Sequence, residues 1–183
     1  MGTGLTSSAK HPQVEHQTWL PSYQPNEQVE QHLIRAITKG SAIAVIGGSF
    51  KEEWGTAALI IEGNKNARHR ITPTSTAPGT AKYQDAYSSE LTGLYHMIYI
   101  IETICEKHNI RSGGITAACD GLNAIKKAMD ADTKYLCQSN YFNLISTMDN
   151  KLMKYPITWS WQHTKGHKYE QGEPLDRYET LNI

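Results

Sequence analysis

The sequence predicts a mixed α/β fold: a five-stranded sheet, three of its strands antiparallel, with helices on both faces. Three observations carry that prediction. Residues 41–76 read as a hairpin followed by a third strand. The stretch from Tyr87 onward reads as one helix of about twenty residues, with Leu91, Leu94, Ile98, Ile101 and Cys105 recurring at steps of three and four. Beyond it, strand and helix alternate to the end of the chain, the order expected of β-α-β crossovers.

Residues 1–40 are expected to form an N-terminal arm and a short helix, a linker or the end of a preceding domain. The first few residues read as a leader, and Pro12, Pro21 and Pro25 keep the rest extended. Val29, Leu33, Ile34 and Ile37 predict the short helix, stopped by Gly40. The main domain is expected over 41–183. Ser41 to Phe50 and Thr56 to Glu62 are the hairpin strands, turning through Lys51-Glu52-Glu53-Trp54-Gly55; Arg68 to Thr76 is the third. Pro78-Gly79 breaks the chain before the long helix. Ile115 to Asp120 is a small-residue strand, 121–129 and 142–153 are helices, and Ile157 to Trp161 alternates as the fifth strand. A loop over 163–174 leads into a final helix over 175–181.

Composition excludes several classes of function. At 183 residues, 39% hydrophobic and 20% charged, the chain can bury a core. Eighteen basic residues balance eighteen acidic ones, so polyanion binding has to come from a local patch. No apolar run approaches the ~20 residues of a membrane span. Cys105, Cys119 and Cys137 are odd in number and lack a CxxC pairing, which predicts free thiols in a reducing, intracellular (cytosolic or nuclear) setting.

Three acids fall where strand ends meet helix starts: Glu90 in the first turn of the long helix, Asp120 closing a strand, and Asp176 opening the last helix. Each has an ordinary reading, as a helix-dipole partner, a turn or a cap. Gathered at one end of a sheet, they would suit Mg²⁺, which prefers a few carboxylates plus water. His163 and His167 have the i, i+4 spacing of zinc helices, but they leave a strand into a loop and lack the Glu of that motif. Trp159 and Trp161 share a strand face and are expected to pack. Lys126, Lys127, Lys151 and Lys154 form either a phosphate-tracking surface or a solvated helix face.

At this point the chain resembles the ribonuclease H family, most of all the RNase H domains attached to retroelement reverse transcriptases. The matching pieces are Gly48-Ser49-Phe50, the Gly-Thr-Ala-Ala run at Gly55, Ser-Ser-Glu-Leu at 88–91, Cys-Asp-Gly-Leu at 119–122, Thr-Lys-Gly-His at 164–167 and Leu-Asp-Arg at 175–177. They occur in the family's order and span roughly residues 41 to 183. The resemblance implies an RNase H-like fold and hydrolysis of the RNA strand of RNA–DNA hybrids with two Mg²⁺ ions, or Mn²⁺, roughly 4 Å apart. It implies that Glu90, Asp120 and Asp176 are metal ligands and that His167 assists proton movement or product departure. It places Gly48 and Ser49 near the substrate backbone and Asn123 near the hybrid's minor groove. The implied partners are the hybrid and a fused or neighbouring reverse transcriptase domain, the chain itself being a monomer.

One position departs from the family. Its first strand carries Asp-Gly-Ser, and that Asp bridges both metals; here the run is Ile46-Gly47-Gly48-Ser49, with Gly47 at the bridging position. Glu52 and Glu53 lie more than about 10 Å further along the strand, too far to substitute. The expectation is a nuclease by descent with a weakened metal site and impaired catalysis. The alternative is a non-catalytic RNase H-like module that binds nucleic acid or supports a neighbouring domain of a polyprotein.

Overall fold

The computed structural model describes residues 26–63, 70–80, 82, 84–129, 141–164, 174, 178 and 180. The arm over 1–25, Cys137, and His167 and Asp176 lie outside the described residues, as does nearly all of the predicted final helix.

The chain enters through helix α1, Glu27–Thr38, whose first turn is capped by Asn26, its side chain accepting from the Gln28 N–H at 2.8 Å. It stops at Gly40, whose φ of +67° suits a residue without a Cβ. Leu33, Ala36 and Ile37 are buried in the same core as the sheet. A Cβ on Gly63 would lie 2.8 Å from the Ala36 Cβ, and one on Gly113 would lie 2.1 Å from the Ile37 carbonyl oxygen, so α1 rests directly on backbone. Glu30, almost fully buried, accepts a charged hydrogen bond from Lys107 at 2.8 Å and lies 3.2 Å from His108.

Strands β1 (Ala42–Lys51) and β2 (Trp54–Gly63) form the predicted hairpin, with Lys51 opposite Trp54. The turn is tighter than the sequence suggests: only Glu52 and Glu53 lie between the strands, both left-handed, with φ of 53° and 67°. That is the two-residue turn whose twist matches a hairpin, normally made with Asn and Gly. The predicted third strand appears as two short ones, β3 (Arg70–Ile71) and β4 (Thr74–Thr76), both antiparallel to β2. Between them Pro73 has no N–H to give the ladder, although its carbonyl still accepts from Leu59 at 3.1 Å. β5 (Gly114–Cys119) runs parallel to β1, and β6 (Thr158–His163) parallel to β5. The described sheet is therefore six-stranded, in the order β3-β2-β1-β5-β6 with β4 beside β2.

Helix α2, Ala86–Lys107, covers one face of this sheet. Its predicted stripe is buried, and so are Tyr95, Met97, Ile100 and Ile104, because α1 and a further helix, Phe142–Lys154, pack on its flanks. We number the helix at Leu122–Met129 α3 and the one at Phe142–Lys154 α4. Glu102 on α2 is paired with Lys151 and, at 3.5 Å, with Lys154; Lys154 also meets Glu106 at 2.8 Å. Lys151 and Lys154 thus belong to a helix–helix ion network, not to a phosphate-tracking surface. Lys126 remains exposed. On the opposite face, Ile43, Val45 and Ala118 are covered by Tyr178, a helical residue near the chain end. Trp159 and Trp161 stack at 6.0 Å between ring centroids, half-buried against the core. Among the described residues no helix is long and apolar enough to cross a membrane.

The hairpin turn yields a direct check. Glu53→Gly relieves a left-handed side chain and is expected to raise unfolding stability by about 0.5–1 kcal/mol. A denaturant midpoint that stays put or falls would contradict the turn geometry.

Candidate metal centre

The site is built by stitching the start of α2 to the far end of β1. Asp85 caps the helix reciprocally: its carboxylate accepts from the Ser88 N–H at 2.6 Å, and its own N–H donates to the Ser88 hydroxyl at 2.9 Å. The Tyr141 hydroxyl donates to the second carboxylate oxygen of Asp85 at 2.9 Å. Buried Gln84 accepts from the Gly55 N–H at 2.7 Å and donates to the carbonyls of Ala77 and Gly79 at 2.9 and 3.0 Å, which holds β2 and the segment after β4 against the helix start. Ser89, fully buried, donates to the Ser49 carbonyl at 3.0 Å.

These ties place Glu90 between two glycines. A Cβ on Gly48 would lie 2.6 Å from the Glu90 backbone nitrogen, and one on Gly121 would lie 2.0 Å from the Glu90 Oε2. At 48 only a residue without a Cβ allows the helix backbone so close, and at 121 the missing Cβ leaves room for the carboxylate. Gly121 immediately follows Asp120, so the two predicted acids meet at the ends of adjacent elements. Asp120 follows Cys119, the parallel partner of Ile46, so Gly47 and Asp120 leave neighbouring strands side by side. The Oδ1 of Asp120 is buried and has no hydrogen-bond partner among the described residues, which a turn or cap role would have supplied. Burial, the charge of Asp120 and then that of Asp85 push the Glu90 carboxyl up to about 7. Beneath them, Cys119 accepts from the Gly121 N–H at 3.2 Å, and burial raises its thiol to about 12, which keeps it inert.

The remaining predicted residues are distributed as follows. Side chains alternate along a strand, so with Gly48 facing α2, Gly47 faces the opposite side of the sheet, where it is paired with Ala58. Gly48 is occupied by the approach of Glu90. Ser49 and Asn123 are exposed. Glu52 lies at the hairpin tip, its side chain 83% exposed and 3.8 Å from Lys51, away from the carboxylate pair. Asp176 and His167 lie outside the described residues. Among the described residues no group of three or more His, Cys, Asp or Glu side chains is poised to hold a metal. The pair that is described nevertheless fits a hard divalent cation: both donors are oxygens, one is buried without a partner, and their mutual repulsion is what such an ion relieves. The sequence reading missed Gln84, Ser89 and Gly121, the residues that position this pair. Ser89 and Gly121 adjoin the recognised acids; nothing local marks Gln84.

An acidic centre at the strand ends of a mixed sheet, with a long helix contributing one carboxylate, defines a class of α/β domain suited to divalent metals. No family model matches the chain, and no curated protein matches it. Among solved structures it is similar to LC11-RNase H1 in complex with RNA/DNA hybrid, at 9% identity, with 71% of this chain and 89% of that one covered and a TM-score of 0.54. A second structure of LC11-RNase H1, isolated from compost by a metagenomic approach, aligns at 11% identity over 73% of this chain and 89% of that one, with a TM-score of 0.50. RNase H1 from the halophilic archaeon Halobacterium salinarum NRC-1 aligns at 12% identity, 70% and 89% coverage and a TM-score of 0.49. The chain has an RNase H-like fold.

Two measurements follow from the carboxylate pair. With its pKa raised from 4.5 to about 7 in the folded state, Glu90 holds a proton that the unfolded chain has released, so stability falls as pH rises through that window and levels off above it. Glu90→Gln is expected to flatten this slope and to stabilise the protein at pH 8 by about 1–3 kcal/mol, read from melting curves across pH. Conversely, Mg²⁺ at ten times its Kd should stabilise the unaltered chain at pH 8 by about 1.4 kcal/mol, and Asp120→Asn should lose most of that gain. Equal Mg²⁺ responses in both proteins would rule out the pair as a metal site.

Proposed function

We propose that this domain binds RNA–DNA hybrids at the strand ends of β1 and β5, as an RNase H-type endoribonuclease whose catalysis is impaired by Gly47. The observation that carries the proposal is the Glu90–Asp120 pair: a desolvated carboxylate packed against two glycines, beside a second carboxylate with a buried oxygen that lacks a partner among the described residues. The fold supports the same reading, and one similar structure was solved with an RNA/DNA hybrid. Glu90 and Asp120, with Asp176, would hold Mg²⁺ or Mn²⁺. When bound, the ions supply Lewis-acid stabilisation of a phosphoryl centre and a more acidic water. The residues of this chain set the conditions for that chemistry. Ser89 and Gln84 hold α2 so that Glu90 cannot withdraw from Asp120. Its proton, retained up to about pH 7, is released most readily in the presence of a cation. His167, four residues beyond β6 in the sequence, is assigned the movement of a proton or the departure of product.

Gly47 leaves this centre one carboxylate short on the face of the sheet opposite Gly48, and no described acid takes its place. That vacancy favours a second reading, a non-catalytic hybrid-binding module of retroelement type beside a reverse transcriptase domain. An intracellular, reducing location belongs to both readings; Cys105 and Cys119 are free and buried.

Cleavage of a labelled RNA–DNA hybrid with Mg²⁺ or Mn²⁺ separates them. The Gly47→Asp variant is expected to cut faster than the unaltered chain by roughly 10²-fold or more, as the return of a metal ligand worth several kcal/mol implies. Failure of both proteins to cut, with hybrid binding retained, would leave the binding module as the function.

A further inference from the structure

Helix α1 ends in two cations that the described acids leave unmatched. Glu30 holds Lys107, Glu62 holds Arg70, and Glu102 and Glu106 hold Lys151 and Lys154. Arg35 and Lys39 are exposed and have no acidic partner among the described residues. They lie four residues apart on one helix face, with His32 one turn before them, and like charges at that spacing repel. Basic and acidic residues balance over the whole chain, so an anion has to be met by a local patch of this kind.

Cations in the last turn of a helix ordinarily serve the carbonyls left without partners there. Here those carbonyls already have partners. The Arg35 carbonyl accepts from the Lys39 N–H at 3.0 Å, the Ile37 carbonyl from the Gly40 N–H at 2.9 Å, and the Ala36 carbonyl from the Ser41 N–H at 2.8 Å. Left-handed Gly40, with φ of +67°, turns the chain back to make these bonds. The same turn carries the Ser41 hydroxyl to the edge of the cations. It lies 3.4 Å from the Ala36 carbonyl, a long contact that it can exchange for a better acceptor. His32, Arg35, Ala36, Lys39 and Ser41 together line a cavity of about 170 Å³, room for a small tetrahedral oxyanion with water. Glu27, the acid bordering the adjoining groove, lies eight residues from Arg35, about 12 Å along the helix.

We propose that this cavity binds a phosphate monoester. Arg35 supplies a planar fork for two oxygens, Lys39 a point charge and Ser41 a hydroxyl donor. Two unopposed positive charges match the charge of about −1.5 to −2 that a monoester carries at pH 7. The site is independent of the hybrid-binding reading. The cavity adjoins the start of β1 and the carboxylate pair its far part, about 20 Å away over the residues from Ala42 to Gly48. Helix α1 also precedes every family-like motif, so the resemblance assigns it no role. The monoester can arrive as free phosphate or a nucleotide, or as the 5′-terminal phosphate of a strand.

Isothermal titration calorimetry at constant ionic strength, without divalent metal, tests the site and separates these sources. The probes are inorganic phosphate, adenosine 5′-monophosphate, and one short DNA strand carrying either a 5′-phosphate or a 5′-hydroxyl. The proteins are the unaltered chain, Arg35→Gln/Lys39→Gln and Ser41→Ala. Glutamine has nearly the helix propensity of arginine and lysine, and neither cation has an acidic partner to lose, so the double variant should fold, as its melting curve will show. The expected result is phosphate binding that the double variant weakens by about tenfold or more and Ser41→Ala by about threefold. Equal binding of inorganic phosphate, nucleotide and phosphorylated strand supports the site with a free monoester as its ligand. Tighter binding of the phosphorylated strand than of the small probes and the 5′-hydroxyl strand supports it with a strand end as its ligand. Absence of phosphate binding, or binding unchanged in the double variant, overturns the site. A 5′-hydroxyl strand that binds as tightly as the phosphorylated one overturns the monoester assignment, because internal diesters would then be the ligand.

Discussion

The close approach of α2 to the sheet is the constraint on which the rest depends. It is made possible where side chains are missing. At Gly93 the helix lies so near β1 that a Cβ would sit 2.4 Å from the Ile46 side chain, and at Gly48 the sheet yields space to Glu90. Buried hydrogen bonds from Ser89 and Gln84 then fix the axial position of the helix start against β1 and β2. Apolar packing alone would allow the helix to slide or rotate, because dispersion and hydrophobic burial are not directional. The polar stitches, satisfied in pairs, select one register.

That register has an electrostatic cost. Glu90 and Asp120 repel each other in a partly desolvated pocket, and the fold holds them together regardless. Packing elsewhere supplies the stability that makes such an arrangement tolerable, including α1, the Glu30–Lys107 pair and the Glu102 network between α2 and α4. A cluster of uncompensated charge is what a binding centre looks like before its ligand arrives. The two inferred sites lie toward opposite ends of β1: carboxylates for a cation at one, and unmatched cations for an anion at the other.

Much of the fold was legible in the order of elements. The stripe from Leu91 to Cys105 announced α2, the two strand runs either side of Lys51-Glu52-Glu53-Trp54-Gly55 announced the hairpin, and Gly40 marked the end of α1. The errors were local. The third strand divides at Pro73, where a ladder donor is missing, and the turn contracts to Glu52-Glu53, a pair that turn preferences do not favour. Lys151 and Lys154 looked like free cations because nothing in the chain near them shows that Glu102 and Glu106, some fifty residues earlier, lie across the helix interface.

The amino-acid sequence by itself determined the elements, their order, and the identity of the acids at Glu90 and Asp120, because periodicity and residue type are local properties. It also exposed the absence of a carboxylate at Gly47. Only the tertiary structure decided that Glu90 sits between Gly48 and Gly121 and that Gln84 and Ser89 hold it there. Those facts depend on strand register and on the distance between a helix and a sheet. Both are set by contacts between residues far apart in the chain, so neither leaves a trace in any short stretch of it.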